Sequence, residues 1–371
     1  MSLRAFDLAL SRASGSSRIW IGDGALAEAL PALGDWLEGR GVFVVSTPRV
    51  LALHGSALEN LKARACRWSV IEVPEGEAAK SVEVAATLWS RLVSEGVKRD
   101  SRLIGFGGGS VGDLGGFVAA TVLRGIEFAL LPTTVLAQVD ASIGGKTAID
   151  LPTAKNCIGA FHSPRLVVSE TRWLATLDRA EARAGWVEAI KKAMAFDRAL
   201  FESFESSPAI SQGFDAAAAD LLVASAAHKI EVVRQDPFES GDRRLLNLGH
   251  TLGHAIETAA GCGVLRHGEC VAYGLLFALR LGEARGLPPG EAARVRRLLA
   301  RLEPPPLPDL DATQLSTLMA RDKKALEGGL AWVLPRRLGQ AALEVVAQAE
   351  VEALLPRFLR APWEGVSTST L

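Results

Sequence analysis

Hydrophobic and polar positions follow different patterns in the two halves of the chain. In the first half, short apolar or β-branched runs are closed by turn-forming or polar residues, which is typical of buried strands. The clearest runs are residues 42–45, 69–73, 103–106 and 128–131. Residues 81–95 repeat apolar side chains every four positions and predict an amphipathic helix. This alternation of strand and helix indicates an α/β domain with a parallel sheet.

Helical periodicity dominates the second half, beyond about Ser169. The predicted helices are residues 178–195, 214–235, 246–260, 269–284 and 290–302. Three consecutive prolines starting at Pro304 end the last of them. We therefore expect an α/β domain over residues 1–173 and an all-α domain over residues 174–371.

Composition narrows the class of protein. The 371 residues are enough for two domains, and 49% hydrophobic with 22% charged residues is typical of a globular enzyme. A formal net charge of −1 gives no general attraction for nucleic acid. The four cysteines show no C-x-x-C spacing, so neither a disulfide framework nor a thiolate zinc site is expected.

Charges interrupt every apolar stretch that is long enough to suggest a membrane span of roughly 18 residues. Arg124 and Glu127 break the longest candidate. Near the N-terminus, Asp7 stands where a signal peptide needs an unbroken apolar core. We expect a cytoplasmic protein with no membrane partner and no nucleic-acid partner.

Histidines are concentrated in one short region. Of the six in the chain, His250, His254 and His267 lie within 18 residues of one another. On a helix, His250 and His254 share one face, and nearby carboxylates complete a ligand set for a divalent metal that keeps a position open for substrate. Thr251 stands where H-E-x-x-H proteases have their glutamate, so peptide hydrolysis is not expected. A histidine satisfied by a backbone carbonyl in the core remains an alternative for each.

Other charged residues in the second half could complete a site. Glu188 is flanked by apolar residues and is expected to be partly buried, so its carboxylate needs a partner. That partner is either a metal ion or a lysine of the same helix, Lys191 or Lys192. Lys229 and the basic run from Arg321 are candidates for anion binding or for ordinary solvated surface.

A glycine-rich turn follows the predicted strand 103–106. Residues 107–113 read G-G-G-S-V-G-D and precede a predicted helix over 114–123. Glycines let backbone N–H groups approach a ligand closely, and a helix start adds partial positive charge, so the turn suits a pyrophosphate. The spacing differs from G-x-G-x-x-G, and a tight turn without a ligand is the alternative. A Rossmann-like nucleotide-binding domain is therefore predicted.

A second polar block follows at residues 132–146, and Lys155 and Asn156 come shortly after it. Asp140, Lys146, Lys155 and Asn156 fall in a stretch that is poor in other charges, which favours a polar ligand. A surface loop with solvated lysines is the alternative.

The ordered motifs together closely resemble the 3-dehydroquinate synthase family of sugar phosphate cyclases. The resemblance spans about residues 75–335 and rests on G-G-G-S-V-G-D-L-G-G-F, P-T-T-V-L-A-Q-V-D-A-S-I-G-G-K-T, G-W-V-E-A-I-K, L-L-N-L-G-H-T-L-G-H-A-I-E, H-G-E and R-D-K-K. It implies an NAD-dependent and metal-dependent carbon–oxygen lyase of the shikimate pathway, which serves aromatic amino acid biosynthesis. Such an enzyme cyclises 3-deoxy-D-arabino-heptulosonate 7-phosphate, a sugar acid phosphate, to 3-dehydroquinate with release of phosphate. A homodimer is implied as well.

The resemblance also implies a role for each site residue. Glu188, His250 and His267 would bind Zn²⁺, with Co²⁺ as an alternative, and His254 would act on the substrate. The implied NAD contacts are Glu77, Lys80, Gly109, Ser110, Val111, Gly112, Asp113, Thr133, Thr134, Lys146, Lys155, Leu174 and Thr176. The implied catalytic and substrate contacts are Arg124, Asp140, Lys146, Asn156, Lys191, Lys229, Arg243, Asn247, His254 and Lys323.

The chain departs from the family's sequence pattern at one contact, and three alternative functions are open. The chain has S-T-P-R from Ser46 where many family members carry Asp or Asn, so the contact to the adenosine ribose is undefined. A metal-dependent polyol or alcohol dehydrogenase would accumulate NADH, whereas a synthase releases phosphate without net NADH. A sibling sugar phosphate cyclase would act on a substrate without the carboxylate or on an amino analogue, and Arg243, Asn247, His254 and Lys323 argue against it. An NAD-binding or scaffolding protein without catalysis is the third alternative.

Overall fold

The computed structural model describes residues 3–9, 16–152, 154–212, 214, 216–261, 263–322 and 329–364. Cα packing divides the chain into two units. The first comprises Met1–Asp178 and Phe214–Phe238, and the second comprises Arg179–Gly213 and Glu239–Leu371. The first unit therefore includes a segment that returns from the second half of the chain.

The secondary structure of the described residues runs as follows. The strands are β1 (Arg4–Ala9), β2 (Ser16–Gly22), β3 (Gly41–Ser46), β4 (Arg67–Glu72), β5 (Arg102–Gly107), β6 (Glu127–Pro132), β7 (Lys146–Leu151), β8 (Ala154–Phe161), β9 (Leu166–Glu170), β10 (Leu330–Arg337) and β11 (Gln340–Val346). The helices are α1 (Ala25–Leu37), α2 (Pro48–His54), α3 (Glu59–Lys62), α4 (Val82–Ser94), α5 (Gly109–Thr121), α6 (Arg179–Phe196), α7 (Arg198–Ser206), α8 (Ala209–Gln212), α9 (Ala216–Gln235), α10 (His250–Ala260), α11 (His267–Glu283), α12 (Pro289–Ala300), α13 (Ala312–Asp322) and α14 (Gln348–Arg360).

A seven-stranded sheet in the order β1-β2-β9-β6-β5-β3-β4 forms the centre of the first unit within the described residues. β1 runs antiparallel to β2 at one edge, and the other neighbouring pairs are parallel. β3, β5 and β6 are buried almost along their whole length, as expected for parallel strands covered on both faces. The four predicted strands are confirmed as β3 to β6, and the predicted Rossmann-like parallel sheet is confirmed with them.

Helices of the first unit differ from the prediction at one informative point. Ser81 caps α4, since its hydroxyl accepts a hydrogen bond from the N–H of Val84 at 3.2 Å, and the predicted helix 81–95 is confirmed. The helix predicted from residue 114 begins earlier, at Gly109. Residues that the sequence assigned to a turn therefore form the first turn of α5. Glycine has a low helix propensity, so the glycine-rich sequence did not predict that the helix begins here.

α9 belongs by packing to the first unit. It contacts β1, β2 and the π-helical turn Ala137–Ala141. Periodicity along the chain did not reveal this return, because it records that a segment is helical and not what the helix packs against.

The second unit is helical, as predicted, with one addition. β10 and β11 form an antiparallel hairpin that the sequence analysis had not included in this all-α region. The long helices α6 and α11 pack on each other, and α11 packs on α10. Among the described residues, no helix is long and apolar enough to cross a membrane.

Two glycines of α11 allow this close packing. A Cβ atom at Gly268 would lie 1.9 Å from the carbonyl oxygen of Ala184 on α6. A Cβ atom at Gly274 would lie 1.8 Å from the carbonyl oxygen of Gly249, which precedes α10. Both distances are far below van der Waals contact, so only glycine lets the three helices approach this closely.

We predict that Gly268→Ala lowers the free energy of unfolding by about 1–3 kcal/mol or more, because the added methyl group forces α11 away from α6. Gly290→Ala is the matched control, since a Cβ there meets nothing within 4 Å and lies in α12. It should leave stability unchanged or raise it by up to about 1 kcal/mol. Urea unfolding followed by tryptophan fluorescence measures both. Equal stability of the two variants would contradict the packing argument.

Glu170 joins the end of β9 to the start of α1. Its carboxylate accepts hydrogen bonds from the backbone N–H groups of Gly24 at 3.1 Å and Leu26 at 3.2 Å, and from the Arg172 guanidinium at 3.0 and 3.1 Å. Burial alone would raise the pKa of Glu170, but these hydrogen bonds outweigh it and lower the pKa. The carboxylate thus replaces the side-chain cap that Gly24 lacks.

We predict that Glu170→Gln lowers the free energy of unfolding at neutral pH by about 1–3 kcal/mol, because charge-assisted hydrogen bonds are weakened. The pKa of Glu170 is lower in the folded protein than the unfolded value of about 4.3. Its stabilisation is therefore complete above that value and is lost as the pH falls through the folded pKa. Urea unfolding at stepped pH should show the gap between the two proteins narrowing in acid. A constant gap would contradict this account.

Candidate active site

Three helices of the second unit bring the predicted metal-binding residues together. Glu188 lies in the middle of α6, His250 begins α10, His254 follows one turn later, and His267 begins α11. Ligand nitrogens of the three histidines lie within 4.8 Å of one another. Glu188 Oε1 lies 3.7 Å from Nε2 of His250 and 3.7 Å from Nε2 of His267. These four side chains form a single cluster.

Glu188 is buried, with 1% of its side chain exposed. Its Oε2 forms an ion pair with the ammonium of Lys191, one of the two lysines that the sequence suggested as partners. Its Oε1 has no hydrogen-bond partner among the residues that the structure describes. A buried carboxylate oxygen without a donor, beside two imidazole nitrogens, fits a divalent cation.

Hydrogen bonds on the far side of two rings orient their nitrogens. Nδ1 of His267 lies 3.1 Å from Glu257 Oε2, and Nδ1 of His250 lies 3.3 Å from the carbonyl oxygen of Leu248. With Nδ1–H as the donor in each ring, the Nε2 lone pairs point towards Glu188. Sequence analysis assigned no role to Glu257. Its position seven residues after His250, on the same helix face, is the pattern that could have identified it.

The surroundings of His250 keep its imidazole neutral. Burial, and then the ammonium of Lys191, lower the pKa of His250 well below its usual value. For His267, burial alone would lower the pKa, but the Glu257 carboxylate outweighs burial and raises it. The neutral His250 imidazole is the form that binds a metal ion.

The glycine turn of the first unit forms the start of α5. Gly108 is the N-cap and offers no side chain to the N–H groups of the first turn, which contains Ser110, Val111 and Gly112; Asp113 follows directly. Gly109 begins the helix itself. Such a helix start can bind a pyrophosphate through backbone N–H groups. Thr134 lies close by, because a Cβ at Gly108 would be 3.2 Å from its methyl group.

A charged network adjoins this turn. Lys80 Nζ donates to Asp113 Oδ2 at 2.8 Å and to Asn156 Oδ1 at 2.5 Å, and Ser110 Oγ donates to Glu77 Oε1 at 2.8 Å. Burial alone would lower the pKa of Lys80, but the carboxylates of Asp113 and Glu77 outweigh it and raise the pKa. Lys80 is therefore a buried, charged lysine that connects predicted NAD contacts to a predicted substrate contact. Lys155 Nζ lies 3.6 Å from Glu77 Oε2 at the edge of the same network.

The π-helical turn Ala137–Ala141 carries Asp140, and α9 brings Lys229 to it. Lys229 Nζ donates to the Asp140 carbonyl oxygen at 2.7 Å and lies 3.0 Å from Asp140 Oδ2. Both residues belong to the first unit, although they are far apart in sequence. Lys146, at the start of β7, is exposed, and Thr133 is buried beside Thr134.

Other predicted residues occupy separate positions. Arg124 is exposed beyond the C-terminal end of α5, a helix of 13 residues, or about 20 Å, that starts at the glycine turn. Within one chain, the length of α5 therefore separates Arg124 from the glycine-rich start of that helix. Leu174 is buried, whereas Thr176 is exposed and its hydroxyl lies 3.0 Å from His54 Nε2. Lys323 lies outside the described residues.

Two predicted substrate contacts precede α10 in the second unit. Arg243 is buried, with 2% of its surface exposed. Asn247 Nδ2 donates to Glu239 Oε1 at 2.5 Å. Both belong to the 3₁₀ helix Asp242–Asn247, which leads directly to His250 and the metal-binding cluster.

Comparisons with known proteins identify the family to which the chain is similar. The family description "3-dehydroquinate synthase N-terminal" matches residues 70–184, and "3-dehydroquinate synthase C-terminal" matches residues 185–325. The 3-dehydroquinate synthase of Pelobacter propionicus is 42% identical over 334 residues, which cover 88% of this chain and 92% of that protein.

Solved structures show the same fold. A 2-epi-5-epi-valiolone synthase from Streptomyces hygroscopicus subsp. jinggangensis 5008, with NAD⁺ and Zn²⁺ bound, has a TM-score of 0.84 and 28% identity, covering 95% of this chain and 98% of that one. A 2-deoxy-scyllo-inosose synthase complexed with carbaglucose-6-phosphate, NAD⁺ and Co²⁺ has a TM-score of 0.82. The match covers 96% of this chain and 100% of that one. Its identity is 21%, so it shows the fold alone. The fold is that of the sugar phosphate cyclases. Within that class, the chain belongs to the 3-dehydroquinate synthase family.

We predict that Glu188→Gln and His250→Ala each weaken zinc binding by more than about tenfold, since even outer partners of a metal site change affinity by roughly 10–100-fold. Chelator competition with Zn²⁺ on the purified protein measures the affinity. His254→Ala is the matched control from the same cluster and should leave the affinity near that of the unaltered protein. An equal loss of zinc affinity in His254→Ala would indicate that His254 is a ligand. An unchanged zinc affinity in Glu188→Gln would exclude Glu188 as a ligand.

Proposed function

We propose that this chain converts 3-deoxy-D-arabino-heptulosonate 7-phosphate to 3-dehydroquinate with release of inorganic phosphate. The family descriptions over residues 70–325 and the 42% identity to a 3-dehydroquinate synthase support this function. The observation that carries the proposal is the buried Oε1 of Glu188, which has no hydrogen-bond donor among the described residues and lies between two imidazoles. The reaction belongs to the shikimate pathway of aromatic amino acid biosynthesis.

The proposed cofactors are NAD and a divalent ion, Zn²⁺ or Co²⁺. When bound, NAD supplies a reversible hydride acceptor, and the ion supplies a Lewis acid for an oxygen of the substrate. Glu188, His250 and His267 are the proposed metal ligands. The proposed NAD contacts are Glu77, Lys80, Gly109, Ser110, Val111, Gly112, Asp113, Thr133, Thr134, Lys146, Lys155, Leu174 and Thr176.

His254 is the proposed proton relay. Its ring centroid lies 5.0 Å from that of His250 and 5.7 Å from that of His267, so it adjoins the metal ligands without being one of them in this proposal. An imidazole nitrogen can both accept a proton from a bound substrate and return it. Lys191 forms an ion pair with Glu188 Oε2 and so holds that carboxylate in place.

Substrate anchoring is assigned to charged and amide side chains. Arg243 presents a planar guanidinium suited to a carboxylate or phosphate, and Asn247 lies four residues later. Lys229 and Asp140 hold each other in place, so their remaining polar atoms are preoriented before a ligand arrives. Fixing a flexible acyclic chain in one compact pose lowers the entropic part of the barrier to cyclisation. Lys146, Asn156, Lys191 and Lys323 complete the proposed set, and Arg124 lacks support from within one chain.

We further propose a homodimer located in the cytoplasm, with no nucleic-acid partner. Membership of the family supports the dimer, and a net charge of −1 supports the absence of a nucleic-acid partner. Sedimentation of the purified protein measures the oligomeric state directly.

We predict that purified protein with Zn²⁺, NAD and the sugar acid phosphate releases phosphate while absorbance of reduced nicotinamide shows no net rise. His254→Ala should retain the metal and lose about 10²–10⁴-fold in turnover, as expected for a general acid–base group. Parallel measurement of free phosphate and nicotinamide absorbance follows both products.

The same assay separates the alternatives. Stoichiometric NADH would identify a dehydrogenase. Preference for a sugar phosphate without the carboxylate would identify a sibling cyclase, and NAD binding without turnover of either substrate would identify a non-catalytic protein.

A further inference from the structure

The antiparallel pair of β7 and β8 has an irregular register opposite Asp150. Ile149 pairs with Ile158, and Leu151 pairs with Ala154, so β8 has extra residues at this point. The extra residues include Lys155 and Asn156. The backbone N–H of Asp150 is not used in the ladder and donates to the carbonyl oxygen of Lys80 at 2.6 Å. This bulge therefore joins the β7–β8 pair to the segment that carries Glu77 and Lys80.

Asp150 also holds the bulge in its conformation. Its Oδ1 accepts a hydrogen bond from the backbone N–H of Asn156 at 2.6 Å. Asn156 has a φ angle of 54°, in the left-handed region that few residues other than glycine and asparagine adopt readily. Lys80 Nζ donates to the Asn156 side chain, so Lys80, Asp150 and Asn156 form a closed ring of hydrogen bonds. The ring fixes where the Asn156 amide points.

The carboxyl group of Asp150 lies near that of Glu77. Burial raises the pKa of Asp150 and Glu77 adds to the rise, while the ammonium of Lys80 and the backbone N–H of Asn156 oppose it. Asp113 and Lys155 are further charged groups of this network and pair with Lys80 and Glu77. The contact that fixes Asn156, from its backbone N–H to Asp150 Oδ1, needs only an acceptor oxygen on Asp150.

We propose that Asp150 is a positioning residue of this site, and that it acts through an acceptor oxygen rather than through its charge. This acceptor, Oδ1, holds the backbone of Asn156 in its left-handed conformation. An asparagine amide offers an acceptor oxygen at the same place without a charge. The inference rests on the proposed function, in which Glu77, Lys80 and Lys155 contact NAD and Asn156 contacts the substrate.

The test compares Asp150→Asn and Asp150→Ala in the full-length enzyme with Zn²⁺. Hydrogen exchange of peptides that span residues 154–161 reports on the bulge, a titration with NAD reports cofactor affinity, and phosphate release gives KM and kcat. We expect Asp150→Ala to lose protection at Asn156, and to weaken NAD binding and raise KM by about tenfold each, with a smaller change in kcat. Asp150→Asn should remain within about twofold of the unaltered enzyme in all three measurements.

Asp100→Ala is the control for loss of an ordinary carboxylate. Asp100 is exposed, and among the ion pairs of the described residues it pairs only with Arg40, at 2.6 Å. Its loss should therefore leave exchange and kinetics unchanged. A defect in Asp150→Asn as large as that in Asp150→Ala would overturn the proposal, because charge would then be required. Normal exchange and normal NAD affinity in Asp150→Ala would overturn it as well.

Two outcomes separate this inference from the proposed function. If the unaltered enzyme releases no phosphate, the proposed function fails, and the exchange and NAD measurements still decide the role of Asp150. If Asp150→Ala does not fold, Asp150→Asn decides it, since a folded Asp150→Asn variant with lost protection at Asn156 contradicts the acceptor role.

Discussion

A buried negative charge is the constraint on which the second unit depends. Glu188 has two carboxylate oxygens in the interior, and burying an ionised carboxylate is unfavourable unless each oxygen has a partner. Lys191 pairs with one oxygen, while the other faces the Nε2 atoms of His250 and His267. A divalent ion at this point would supply the partner that this second oxygen lacks among the described residues. The close packing of α6, α10 and α11 is what brings these groups together.

The first unit is organised around the opposite charge. Lys80 is buried, and its ammonium is compatible with the interior because the carboxylates of Asp113 and Glu77 lie beside it. The same two carboxylates adjoin the start of α5, a helix end that carries partial positive charge. Positive partial charge from the helix and negative charge from the network therefore alternate over a short distance. A ligand that carries both phosphates and hydroxyl groups, as a dinucleotide does, matches this alternation.

Sequence patterns predicted the structural features that depend on residues close together in the chain, and few of the features that depend on distant residues. The strands β3 to β6 and the shared helix face of His250 and His254 follow from short-range periodicity. The return of α9, which brings Lys229 to Asp140, depends on packing between residues almost 90 positions apart and has no periodic signature. Glu257 and Asp150 were missed because each acts on another functional residue, and their roles emerge only from hydrogen bonds. Ser46, whose hydroxyl donates to the carbonyl oxygen of Phe106 at 2.7 Å, remains without a link to the ribose.

The fit of α11 against its neighbours has a consequence for the histidine cluster. Gly268 directly follows His267, and Gly274 packs on Gly249, the residue before His250. The two contacts that only glycine allows therefore also set the distance between these imidazoles. A larger side chain at either position would separate the candidate ligands as well as the helices, so helix packing and ion affinity are coupled through α11.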